Sequence, residues 1–299
     1  MTLAADQRRN HDAAMRRAAQ TERRTTRIVV DWGIDLRRSV ARGDTIGQVA
    51  GRLRELPGRL VPALRDSLRD QLDISYTAAS AAMGKELRRR GNRVIRALVE
   101  AEQPAAGRLH NDDPTGVSIV DDLARLRGRT DVTLAELEGV LFPPLGRDRV
   151  EALLRQSIWS SRETFVDRLR RLADDRQMQS IASILVDSLG AGDSQQTLTR
   201  RLGDVVEGQL FRSRRIARTE SLRVAELANR ESWRGLQDHI DQVEVLATLD
   251  AHTRPAHRER HGRRYIRRGE GYVADNGDPL PHLPDEPNCR CYASPVIDL

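Results

Sequence analysis

Leu60, Leu64, Leu68 and Leu72 recur at every fourth residue, a spacing that sets all four on one face of a helix. The stripe continues past an alanine-rich stretch to Leu87, Val94, Ile95 and Leu98, and the small residues from Thr77 to Ala82 predict close approach of a neighbouring helix. Upstream, Ile46, Val49, Leu53 and Leu56 predict an amphipathic helix over about 34–56, interrupted by Pro57. The first thirty residues differ, because Arg8, Arg9, Arg16, Arg17, Arg23, Arg24 and Arg27 interleave there with alanines. They read as a polar helix or a disordered arm, with Ile28, Val29, Val30 and Trp32 as the first core contacts.

Residues 103–117 have the composition of a linker, and Thr133 with Glu136 forms a capping box for a short helix that Pro143 and Pro144 end. Val150, Leu153, Leu154, Ile158 and Phe165 predict a helix over about 147–172. Another spans about 175–189 and stops at Gly190, and Asp193-Ser194 caps a third carrying Leu198, Leu202 and Val205. A helix over about 208–236 buries Leu210, Ile216, Leu222, Leu227 and Ala228. The period then changes. Val243 to Leu249 alternates as a strand does, and Tyr265-Ile266, Tyr272-Val273 and Tyr292–Val296 suggest three more. The expected fold class is mainly α with a small α+β C-terminal domain: an elongated helical N-terminal half, and helices packed on a short β-sheet at the C-terminus. The expected divisions are 1–105, a helical arm and amphipathic helices; 106–174, linker and helical middle; and 175–299, the α+β domain.

A hydrophobic share of 38% with 3% aromatics fits exposed helices with slender apolar stripes rather than a thick core. No stretch approaches membrane-spanning length or has the form of a signal peptide, so a soluble protein made in a reducing cytoplasm is expected, with no membrane partner. Charge changes the picture locally. Residues 252–268 hold Arg254, Arg258, Arg260, Arg263, Arg264, Arg267 and Arg268 against Glu259, a balance of +6 that equals the whole chain's. Such a patch suits double-stranded DNA contacted non-specifically, or an acidic protein surface; its bland alternative is a solvated loop. The run Arg88-Arg89-Arg90 with Arg93 and Arg96 reads as a solvated helical face. Cys289 and Cys291 are the only cysteines, too close to bridge without strain. They are two reduced thiols, half of a metal site, or a packing motif.

Three motifs occur in order: Ile216-Ala217-Arg218-Thr219-Glu220 on a helix; Asp250-x-x-Thr253-Arg254-Pro255-x-His257 after a strand, with Gly262 soon after; and Pro287-Asn288-Cys289-Arg290-Cys291 near the end. This triple, over about residues 175–299, resembles the C-terminal domain of the phage Mu protein F family, the minor head or head-morphogenesis proteins of tailed phages. The resemblance implies a virion component at the head interior or portal vertex, assembled in the host cytoplasm. Its implied partners are the portal and the major capsid or scaffold protein. Many members carry cysteines at the places of Arg254 and His257, and these, with the terminal Cys-Arg-Cys, look like a zinc site. This chain keeps His257, Cys289 and Cys291, and His261 or His282 would have to complete the set; an arginine stands at the first place. The expectation is no resident cofactor, with zinc the alternative.

Read from the residues alone, the motifs form a structural network. Asp250 and Thr253 make a turn, Arg290 pairs with Asp250 or Glu220, and Arg218 or Glu220 reaches across to the strands. No catalytic residue is assigned. HExxH, the P-loop and GxSxG are all missing from the sequence, so a structural head protein is expected rather than an enzyme. The alternatives are a metal-dependent hydrolase or nuclease, and a non-specific DNA-binding module.

Overall fold

The computed structural model describes residues 3–42, 44, 46–90, 125–126, 133–146, 149–150, 152–153, 183–184, 187, 195–234, 236, 240–269 and 271–296. The expected linker at 103–117, the arginines at 93 and 96, and nearly all of the helices expected over 147–172 and 175–189 lie outside them. The described elements are helices α1 (Leu3–Ala41), α2 (Ile46–Arg90), α3 (Leu134–Leu141) and α4 (Gln195–Glu231), strand β1 (Gln242–Ala247), helix α5 (Pro255–Arg260), and strands β2 (Arg263–Arg268), β3 (Gly271–Val273) and β4 (Cys291–Val296). The fold is mainly helical with a small sheet at the C-terminus, as the periodicity predicts. Two compact units divide it, each drawn from separate stretches: residues 1–15, 71–153 and 222–299, and residues 16–70 and 154–221.

Several helix boundaries need correcting. Of the two readings of the N-terminal thirty residues the helix is the one that forms: from Leu3 onward they belong to a helix of 39 residues. Its inward positions are Ala14, Ala18, Thr21, Thr25, Val29, Trp32 and Leu36, a helical period built mostly from small side chains. Thr25 reconciles its hydroxyl with burial by donating to the Thr21 carbonyl at 2.8 Å. Pro57 does not end a helix, because α2 runs through it and through Pro62 for 45 residues. The buried stripe Leu56, Leu60, Leu64, Leu68 and Leu72 continues on both sides of these prolines and outweighs the lost backbone bonds. The helix expected to carry Leu198, Leu202 and Val205 and the one expected over 208–236 merge likewise into one helix of 37 residues, Gln195–Glu231, while the cap expected at 193–194 lies outside the described residues.

In the second unit, α1 packs its buried face on α2 and α4. Trp32 donates its indole N–H to the Arg52 carbonyl at 2.8 Å. A Cβ at Gly33 would lie 2.6 Å from a Val206 methyl, so α1 and α4 approach as closely as a glycine allows.

In the first unit, the small residues of α2 do receive a neighbour: Asn10 of α1 donates to the Ala78 carbonyl at 3.0 Å, and Ala79 and Ala82 are buried. Helix α3 opens on the expected capping box at Thr133 and Glu136. Arg88 and Arg89 of the basic run pair with Glu138 and with Asp6 and Glu86, so they serve helix packing. All four expected strands form one antiparallel sheet in the order β3-β2-β1-β4. Val243, Val245, Tyr265, Ala293 and Cys291 are buried in a core with Met83, Leu87, Leu137, Leu141, Trp233, Leu236 and Ile240.

Strand β4 is an edge strand, and α4 caps that edge with side chains. Ala293 pairs with Val245 in register and also meets α4: its N–H donates to the Glu226 carboxylate at 3.3 Å, and its carbonyl accepts from Asn229 Nδ2 at 2.8 Å. Arg223 and Arg230 of the same helix donate to the carbonyls of Pro284 and Pro281 at 3.4 and 3.2 Å. The helix-to-sheet bridge expected of Arg218 or Glu220 is thus made one to three turns later. Arg218 instead pairs with Glu22 of α1 at 3.2 Å, because residue 218 belongs to the helical unit.

Candidate functional site

The second and third motifs converge in the first unit, beyond the end of β1. The turn after β1 is set by local polar bonds. Thr253 Oγ1 donates to the Thr248 carbonyl and accepts the Asp250 N–H at 2.9 Å, while the Asp250 carboxylate accepts the His252 N–H at 2.8 Å. Arg258 donates to the Asp250 carbonyl at 3.0 Å. Pro255 then opens α5 at a position where its missing N–H costs nothing. Gly262, at φ 80°, turns the chain into β2 and donates to the Val245 carbonyl at 2.8 Å.

Arg290 clamps this turn to the last motif. Its guanidinium takes both oxygens of Asp250, one of them at 2.6 Å, so of its two expected partners the structure selects Asp250. That bidentate bond, more than anything else, holds the Asp250 carboxyl well below the usual carboxylate range. Asn288 sits at φ 61°, a left-handed conformation that asparagine tolerates, and it turns the chain so that Cys289 and Cys291 both point inward.

Buried His257 of α5 meets both thiols. Its Nδ1 lies 3.3 Å from Cys291 Sγ and 3.4 Å from Cys289 Sγ. Cys291 is drawn down to about 7, chiefly by its hydrogen bond from Cys289 and then by His257, while the same bond and burial push Cys289 well up. Cys291 is therefore the thiol that ionises first. On the other side of the ring, buried His257 Nε2 has no hydrogen-bond partner and faces Asp285 Oδ1 at 4.0 Å and Glu286 Oε1 at 3.7 Å.

These donors fit a metal at three corners. Tetrahedral zinc with ordinary Zn–S and Zn–N bonds separates nitrogen from sulfur by about 3.6 Å, close to the two distances observed. A metal on Nδ1 would leave the proton on Nε2, aimed at two carboxylates, the arrangement that orients metal-bound histidines elsewhere. Of the five residues offered by the sequence, His257, Cys289 and Cys291 come together, and among the described residues His261 and His282 do not join them. His261 Nδ1 instead accepts the Ala247 N–H at 3.0 Å. Asp285, which with Glu286 faces the opposite ring nitrogen of His257, was missed by sequence reasoning. Its only signal was position, four residues before the first cysteine in a Pro-rich loop.

The arginines of 252–268 are largely engaged at home. Arg254 pairs with Glu286 at 2.8 Å, Arg260 with Asp285, and Arg263 with Asp278 at 3.6 Å. Arg264 and Arg268 are exposed on β2, and Arg264 reaches Gln242 at 3.5 Å; Arg267 donates its backbone N–H to the Asp241 carbonyl at 2.8 Å. The first motif lies in the second unit, where Ala217, Thr219 and Glu220 are buried and Thr219 donates to the Arg215 carbonyl at 2.7 Å.

A helix followed by a four-stranded sheet, with an Asp–Arg clamp and a His–Cys–Cys cluster at its end, defines a compact structural module. Residues 179–294 match the family described as Phage Mu protein F like protein, and this C-terminal part of the chain is Mu F-like. No curated protein and no solved structure matches the chain. Among the described residues, no helix is long and apolar enough to cross a membrane. Over the matched residues the family suggests phage head morphogenesis.

Proposed function

We propose that this protein is a minor capsid or head-morphogenesis protein of a tailed phage or prophage, which docks on the portal or capsid and contacts packaged DNA non-specifically. The match over residues 179–294 carries the reading. The site supports it by what its polar groups do. Asp250, Thr253 and Arg290 spend their hydrogen bonds on one another and on backbone, as groups that hold a module together do. Host cytoplasm during assembly and the head interior or portal vertex afterwards are the corresponding locations. The test is whether the chain is a component of DNA-filled heads, scored by its copy number in purified particles.

A structural zinc held by His257, Cys289 and Cys291 belongs to the same proposal. Zinc supplies a cross-link between α5 and the segment leading into β4, and no reaction is assigned to it. The orphaned Nε2 of His257 opposite two carboxylates supports this reading.

A further inference from the structure

The second unit has a basic surface of its own. Residues 16–27 hold five arginines and a single acid, Glu22, and residues 208–219 hold four arginines and no acid. Within the second unit these two stretches run side by side and antiparallel, because Arg214 Nε meets Thr26 Oγ1 at 3.0 Å while Arg218 Nε meets Glu22 Oε2 at 3.2 Å. Their shared seam is thus held by two arginines, and only one of those is matched by a carboxylate.

Either side of the seam is basic and open. Arg23 and Arg27 follow Glu22 and Thr26 by one residue, stand one helical turn apart, and are both exposed without a partner among the described residues. On α4, Arg215 is exposed, and its guanidinium lies 5.8 Å from the ring of Phe211, itself 67% exposed. An aromatic ring in that position steadies the guanidinium without neutralising it. The patch at 252–268 is the contrast, since Asp278, Asp285 and Glu286 fold back onto its arginines. Exposed arginines not spent on internal pairs are what a phosphate backbone needs.

We propose that the α1–α4 face carrying Arg23, Arg27, Arg214, Arg215 and Arg218 is a binding surface for the phosphate backbone of double-stranded DNA. The assignment rests on the reading that the protein works within a DNA-filled head, and it locates the contact. Without base-reading groups the surface accepts any sequence, and binding releases counterions in proportion to the phosphates it covers.

The test is fluorescence anisotropy of the full chain with short duplexes of two unrelated sequences across a salt series. The variant R23Q/R27Q/R215Q, which spares the two seam arginines, should weaken binding to both duplexes equally, by at least about tenfold near physiological salt, and lower the salt slope by about three. R264Q/R268Q on β2 should stay within about twofold of the parent. Unchanged helical circular dichroism and melting confirm that both variants are folded. Parent-like binding by the triple variant, or no duplex binding by the parent at low salt, overturns the assignment. Incorporation into particles separates it from the head reading. A chain that enters heads yet binds no duplex leaves the head role standing and sinks this surface. One that binds duplex through these arginines but never enters heads does the reverse.

Discussion

Asp250 and Arg290, forty residues apart in the chain, form the clamp on which the last motif hangs. Because the Asp250 carboxyl is held below its ordinary range, its contribution to stability is complete above about pH 4 and disappears as the pH falls through the lower folded value. Denaturant unfolding from pH 7 to pH 3 should show stability falling on the acid side. Asp250→Asn should be less stable at pH 7 and should flatten part of that acid fall; an unaltered acid limb would contradict the clamp. The neighbouring cluster makes a second prediction. Protein prepared without chelator should carry about one zinc per chain by elemental analysis, and Cys291→Ser or His257→Ala should lose it, with a lower melting temperature. Zinc-free protein of undiminished stability would remove the metal. The sequence showed Asp250, Thr253, Arg290 and the two cysteines, because turn chemistry and a Cys-x-Cys pair are local signals. It could not show which histidine joins them. His257 and His261 are equivalent in spacing, and only the seating of α5 turns one to the thiols and the other to a backbone N–H.

At the scale of elements, α4 closes the open edge of the sheet with Glu226 and Asn229 in place of a fifth strand. Burial raises the Glu226 pKa, and Arg230, the Ala293 N–H and Asn229 pull it back toward the charged form, so the carboxylate depends on its whole set of partners. Glu226→Ala should cost roughly 2–4 kcal/mol in denaturant unfolding, the range for leaving buried groups unpaired, and should expose the β4 edge to association. A change below about 0.5 kcal/mol, the usual scatter for surface positions, would contradict that role. None of this was readable from the chain, since a glutamate facing a strand edge has the same spacing as one facing solvent. The strands themselves were readable, because Gln242 to Val245 alternates and one tyrosine marks each of the other three. Helix α1 was readable only as one of two alternatives, because its buried positions from Ala14 to Thr25 are alanine and threonine, small residues that a search for large apolar groups passes over. The prolines of α2 misled for the opposite reason: a strong local breaker sits within a leucine stripe long enough to override it.

At the scale of the molecule, the arginine surface joins α1 to the part of α4 that lies within the Mu F-like match. The two basic regions look alike in composition, but acids from other segments pair with Arg254, Arg260 and Arg263 of one, whereas Arg23, Arg27 and Arg215 of the other stay open. The proposed structural role in the head accounts for both the internally spent motif residues and the open basic face. The most direct measurement is quantitative mass spectrometry of purified, DNA-filled particles and of assembly intermediates from the source phage or prophage. The account predicts this chain in filled heads at a few copies per particle, far below the major capsid protein. Its absence from both filled heads and intermediates would contradict the head assignment outright.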